Sequence, residues 1–226
     1  MISMALAIDF IPDVASLIFG LTSDVLAEIL FHCLISMVRV VIALFFGSFF
    51  GVCLGLIAGY HRGFDRILSP FIWVTYPFPK VILVPILLLI FGVGELSKFL
   101  LLALVSFYQL YITTRSACRD ISLDYILAFQ SFSTSKWQLF RHVLLPASLN
   151  AILTALKIGL QIAFALLFVT ETYGTSQGIG YLVWDAFASF NYPLVYQASF
   201  IFCLQVWLLF KIVEWGESKF LLWQRK

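Results

Sequence analysis

Charge-free apolar runs alternate along this chain with short polar joints. Residues 40–61 contain no acid, lysine or arginine, 67–94 are interrupted only by Lys80, and 99–114 are clean. Residues 143–170 are interrupted only by Lys157, and 186–210 are again clean. Runs of this length, uniformly apolar rather than alternating, predict membrane-spanning helices. Lipid leaves no water to satisfy an open backbone, so helices are the expected form, and the short alternating strands of a transmembrane barrel are missing. The pattern predicts five spans, over about 32–60, 68–92, 97–115, 150–172 and 194–214. The fold class expected is an all-α polytopic transmembrane bundle.

Composition strengthens that reading. Of 226 residues 62% are hydrophobic and only 12% charged, with a mean hydropathy of +1.01. A soluble domain carries about 25% charged residues, so 14 basic and 12 acidic side chains are too few to solvate this one. A net charge of +2 gives no argument for nucleic acid. The four cysteines are scattered without CxxC spacing, which favours packing over metal binding.

The placement of bases sets an orientation. Arg62, Arg66, Arg115, Arg119, Lys136, Arg141, Lys219, Arg225 and Lys226 fall on one side if the N-terminus lies outside, leaving Lys98 as the base of the opposite joint. Five spans with the N-terminus outside and the C-terminus in the cytoplasm are therefore expected. Residues 1–30 read as an external or interfacial segment, with a short surface helix over 13–20, and lack the basic start of a signal peptide. Residues 31–215 form the transmembrane domain and 216–226 a cytoplasmic tail.

Several features stand out against this background. Gly47, Gly51, Gly55 and Gly59 recur every four residues and so share one helix face. That face is a groove for close helix packing, with a part in a substrate path as the alternative. Tyr76-Pro77-Phe78-Pro79-Lys80 breaks the second span. Lys80 then lies near mid-bilayer, where a charge is functional by default, or snorkels from a shallow kinked segment to the headgroups. Glu171 closes the fourth span beside the glycine-rich stretch 173–181, either lining a cavity or capping the outer interface. Tyr76, Pro79, Lys80 and Glu171 are the candidates for a substrate path. Lys157 sits close enough to Pro146 to snorkel to the cytoplasm.

The joint over 116–146 is too long for a tight turn and too apolar for a disordered one. Ser122 is expected to open a first short helix running through Phe129, and Ser135 with Gln138 a second that ends before Pro146. Trp137, Phe140 and Leu144 then recur at i, i+3 and i+7 beside Lys136 and Arg141, a short helix with one aromatic face. A partner groove and a membrane surface both suit it.

At this joint the chain resembles the binding-protein-dependent ABC transporter permeases. Leu127-Ala128-Phe129, Ser133, Val143 and Leu145-Pro146 fall at the spacing of that family's EAA loop, E-A-A-x3-G-x9-I-x-L-P. The first half departs from the pattern, with Leu127 for the acid, Phe129 for an alanine and Ser133 for the glycine. Residues 135–147 look very like the family. Pro79-Lys80, Pro85-Ile86, residues 91–98, 36–39 and 156–158, the glycine face and Gly178-Ile179-Gly180-Tyr181-Leu182 are similar to its nitrate/sulfonate/taurine-type members. Such members usually carry one more apolar span before the position of Ile11-Pro12, and this chain is expected to begin after it.

The resemblance implies the type I importer fold and a permease subunit that moves a small solute. Its substrate would be a nitrate-, sulfonate- or taurine-like anion or a vitamin precursor. A solute-binding protein would deliver it, a second permease copy, identical or a sister, would complete the path, and a cytoplasmic ABC ATPase dimer would drive it. The ATPase-coupling residues would be Ala128, Phe129, Ser133, Ser135, Lys136, Trp137, Phe140, Arg141, Leu145 and Pro146. No G-x-x-x-x-G-K-[ST] loop occurs, so ATP and Mg belong on the partner and this chain is not expected to be an enzyme. The competing class is a self-sufficient secondary transporter or channel, which usually shows internal repeats, and no convincing repeat is found. A membrane enzyme is weaker still: His32, His61 and His142 lie far apart, with no HExxH or GxSxG.

Overall fold

The computed structural model describes residues 20–132 and 135–220. These are helical with no strand among them. The expected surface helix over 13–20, all but residue 20, falls outside the described residues, as do Ser133 and the last six residues of the tail expected over 216–226.

Helix α1 (Ser23–Tyr60) begins nine residues before the expected start of the first span. Thr22 explains the early start: its Oγ1 accepts the backbone N–H of Val25 at 3.4 Å, and Asp24 places negative charge in the first turn. At 1.5 Å per residue α1 is about 57 Å long, nearly twice a hydrocarbon core of about 30 Å. The exposed acids Asp24 and Glu28 sit on the part that overhangs.

The expected second span is two helices, α2 (Arg62–Thr75) and α3 (Leu83–Phe91), bent by 78° around a short 3-10 turn, Lys80–Ile82. Pro77 and Pro79 occupy the break, where neither can donate to a helix ladder. Helix α4 (Glu95–Arg119) runs back parallel to α1.

Helices α5 (Leu123–Phe132) and α6 (Lys136–Leu139) form the joint, followed by a π-turn over Phe140–Leu144 and by α7 (Leu145–Glu171). The second joint helix does not end before Pro146. The π-turn widens the ladder just ahead of the proline, and Pro146 occupies the first turn of α7, where its missing N–H costs least. Lys136–Glu171 is therefore one helical rod of 36 residues. Helix α8 (Ile179–Ala188) packs on the early turns of α1, and α9 (Tyr192–Phe220) is the last helix among the described residues.

Four of these helices, or five spans if the bent pair counts as one, are long and apolar enough to cross a membrane. The core lies between α1, α4 and α7, around Val40, Leu44, Leu101, Leu102, Leu160, Phe164 and Leu167. Outward-facing Phe45, Phe49, Leu89, Phe200 and Trp207 leave the bundle's rim apolar.

The α1–α4 contact is made by glycine. A methyl group on Gly51 would sit 2.8 Å from the Phe107 carbonyl oxygen, one on Gly55 2.9 Å from Thr114 Cβ, and one on Gly59 2.5 Å from Cys118 Cβ. Gly47 meets the Ala103 carbonyl oxygen at 2.4 Å in the same sense. Four consecutive turns of α1 thus lie against the α4 backbone at a distance no side chain permits.

Candidate functional site

Three clusters collect the polar and apolar groups that packing alone does not use. The first is at the end of the bundle where α5 and α6 meet. Leu139 and Leu144 turn inward onto Leu56 and Cys118, with Phe129, Phe140, Val143 and Leu145 packed around them. This anchors the joint to the ends of α1 and α4. Ser135 caps α6 by accepting the Gln138 N–H at 3.4 Å. Trp137 and Phe140 stack with centroids 5.5 Å apart and planes 12° from parallel. Phe140 is half-buried, whereas Trp137 is 66% exposed and Phe132 91% exposed. Ala128, Lys136 and Arg141 are also exposed, and Leu145 and Pro146 half-buried. A groove of about 490 Å³ runs between α5 and the start of α7, lined by Tyr125, Ala128, Phe129, Phe132, Val143 and Pro146. The result is a structured, mostly apolar platform aimed away from the bundle.

The second cluster is the break in the bent pair. The Lys80 ammonium donates to the carbonyls of Thr75, Tyr76 and Phe78 at 2.8, 2.7 and 2.9 Å. It also lies 4.6 Å from the Tyr108 ring centroid. Thr75 and Tyr108 share a hydroxyl contact at 2.6 Å. All three Lys80 protons go to backbone carbonyls at the break, one of them that of Thr75, whose helical donor position is taken by Pro79, so the charge closes the end of α2. Tyr76 and Pro79 beside it are exposed.

The third cluster is a knot at the opposite end from Trp137. Glu171, the last residue of α7, has 0% of its surface exposed. Its carboxylate accepts from Ser36 Oγ at 2.8 Å, from Arg39 Nη1 at 2.7 Å and from the Gly180 N–H at 2.9 Å. Arg39 also donates to the Gln177 carbonyl and, through Nε and Nη2, to both oxygens of Glu95. Lys98, only 3% exposed, adds a further contact to Glu95 at 3.3 Å. His32 Nδ1 accepts the Gly178 N–H and Ser36 Oγ that of Ile179. Gly178, at φ 119°, has to be glycine: a Cβ there would fall 2.3 Å from the Glu171 carboxyl carbon.

Glu171 therefore lies inside the protein, with both oxygens occupied by donors from three directions. That geometry corrects its expected place at a cavity wall or as a surface cap, because a fully desolvated carboxylate needs this enclosure of donors. Lys80 and Glu171 share no hydrogen-bonded residue, so the two charged path candidates belong to separate clusters. Lys157, expected to snorkel to the cytoplasm, pairs with Glu217 of α9 at 2.7 Å. Arg39, His32 and Lys98 went unassigned in the sequence. The available signal for Arg39 was a charge beginning an otherwise apolar run.

The family described as binding-protein-dependent transport system inner membrane component matches residues 51–216. The taurine transport system permease protein TauC of Escherichia coli (strain K12) is 32% identical over 69% of this chain and 56% of its own length. The formylaminopyrimidine transport permease protein ThiX of Halalkalibacterium halodurans is 28% identical over 72% of this chain and 65% of its own. The chain thus spans between half and two thirds of the length of these curated relatives. Among solved structures, one chain of the MetNI methionine ABC transporter in inward-facing conformations superposes with a TM-score of 0.77 at 16% identity. The match covers 88% of this chain and 99% of that one, a likeness of fold.

Proposed function

Because the chain belongs to the family of binding-protein-dependent transport system inner membrane components, we propose that it is the permease subunit of an ATP-driven importer. The observation that carries this reading is the platform of Trp137, Phe132 and Tyr125, left in the open beside the Leu139 and Leu144 anchor at the bundle end. An apolar surface rimmed by Lys136 and Arg141 fits a protein groove, and the matching stretch of the resemblance is the ATPase-coupling loop.

In this reading the Trp137 end faces the cytoplasm, as the placement of nine bases favours. The N-terminus and the Glu171 knot face outward. A cytoplasmic ABC ATPase dimer, which supplies the ATP and Mg chemistry, grips α5 and α6. A second permease copy completes the path, and a solute-binding protein presents the solute at the outer face. The chain itself performs no covalent chemistry. The names of relatives described as permeases for taurine, aliphatic sulfonates, nitrate and formylaminopyrimidine support a small sulfonate- or nitrate-like anion or a vitamin precursor as cargo.

Purification of the tagged chain from its native membrane in mild detergent tests the reading. A nucleotide-hydrolysing subunit should co-purify in stoichiometric amount, and vanadate should block solute uptake. Uptake driven by an ion gradient with no such subunit present would sink it in favour of a self-sufficient carrier.

A further inference from the structure

A second concavity opens at the Trp137 end of the bundle, sharing Tyr60, Cys118 and Ile126 with the first cluster but opening onto a set of arginines. Its volume is about 700 Å³, and its wall is formed by the last residues of α1, the start of α2, the end of α4 and one face of α5. Three arginines, Arg62, Arg66 and Arg119, line it, together with Tyr60, Leu123 and Ile126. Asp65 is the acid in that wall, and it is already engaged: Arg115, Arg119 and Ser69 all donate to its carboxylate. Arg62 and Arg66 are exposed and form no ion pair with any described carboxylate. No side chain caps α2, so its first-turn N–H groups add further positive potential at the same place.

We propose that this groove binds the phosphate group of an anionic phospholipid. Four observations converge on that chemistry. The wall carries two uncompensated guanidiniums, the side chain best matched to a phosphate fork. One side is apolar, with Leu123 71% exposed, which suits the upper part of an acyl chain. The groove lies where helices long enough to cross a bilayer end, the level of the headgroups. It is concave, which suits a headgroup better than the flat acidic face of a partner protein. The site requires only that these helices span a bilayer, and it stands or falls independently of the ATPase-coupled reading.

The test uses the full chain purified in detergent, without partners, and equilibrated with equal amounts of phosphatidylglycerol and phosphatidylcholine. Native mass spectrometry then counts the retained lipids. Wild type should retain phosphatidylglycerol with about a tenfold preference, the scale of one or two charge-assisted hydrogen bonds. The Arg62→Gln/Arg66→Gln pair should bring that preference close to one, with each single variant in between. Lys211→Gln, an exposed base on α9 outside the groove, should leave it unchanged. Equal retention of the two lipids by wild type would overturn the proposal, as would equal loss in Lys211→Gln. Displacement of the lipid by excess inorganic phosphate, with phosphate itself retained, would assign the groove to free anions and overturn the lipid as its occupant.

Discussion

Arg39 Nη1 donates to Glu171 Oε1 at 2.7 Å, joining α1 to the final residue of α7 across 132 positions of sequence. A buried pair of this kind contributes little beyond an apolar substitute, but removing one partner strands the other in low dielectric. Arg39→Met should therefore destabilise the protein by about 3–5 kcal/mol. The double variant Arg39→Met/Glu171→Gln should cost less than the sum of its singles. Thermal unfolding of the detergent-purified chain checks both, and an unchanged midpoint in Arg39→Met would show that the knot is not structural.

The α1–α4 contact predicts a sharp contrast between two glycines. Gly55→Val should separate the helices and lower stability by about 1–3 kcal/mol, the usual scale of overpacking. Gly63→Ala, where an added Cβ meets nothing within 4 Å, should be neutral or stabilising by up to about 1 kcal/mol. Melting temperature and monodispersity after extraction separate the two outcomes.

Lys80→Met removes the ammonium donor from the carbonyls of Thr75, Tyr76 and Phe78 at the break after α2. The break should loosen, and amide hydrogen exchange over 76–83 should quicken while α4 stays protected. Lys80→Arg should restore part of the protection, since a guanidinium still donates. Unchanged exchange in Lys80→Met would show that the ammonium does not hold the break together.

Trp137→Glu places a charge at the centre of the exposed platform without touching Leu139 or Leu144, which anchor the joint. Membrane insertion and melting temperature should remain within the scatter of surface substitutions, about 0.5 kcal/mol. If the proposed ATPase-coupled reading holds, solute uptake and recovery of the proposed ATPase subunit should fall by at least about tenfold, equivalent to 1.4 kcal/mol of interface energy. Survival of both would remove the platform from the coupling role.

What could be read along the chain was whatever local periodicity encodes. The glycine face was legible because residues four apart share a helix side wherever the helix goes, and its partner α4 needed only to be another helix. The break after Thr75 was legible because proline acts on its own backbone. Ser23 as a start was missed: the acids at 24 and 28 read as the edge of an external segment, whereas Thr22 caps a helix that outruns the bilayer. Pro146 was read as a stop because the π-turn that accommodates it depends on how Leu139 and Leu144 seat in the core. The Arg39–Glu171–Glu95 knot joins the middle of α1 to the end of α7 and the start of α4, and has no local signature. Its clue, glycines at 178 and 180 so close to an acid, becomes intelligible only once the carboxylate is seen between them.

The unbroken course from Lys136 to Glu171 has a mechanical corollary. At 1.5 Å per residue these 36 residues make a lever about 54 Å long, with the aromatic handle of Trp137 at one tip and the ionic latch on Arg39 at the other. No loop intervenes to absorb a pull. The π-turn, one residue wider than its surroundings, is the place where such a shaft can flex, so a tug on the handle either bends it between Phe140 and Leu144 or is felt directly at the latch.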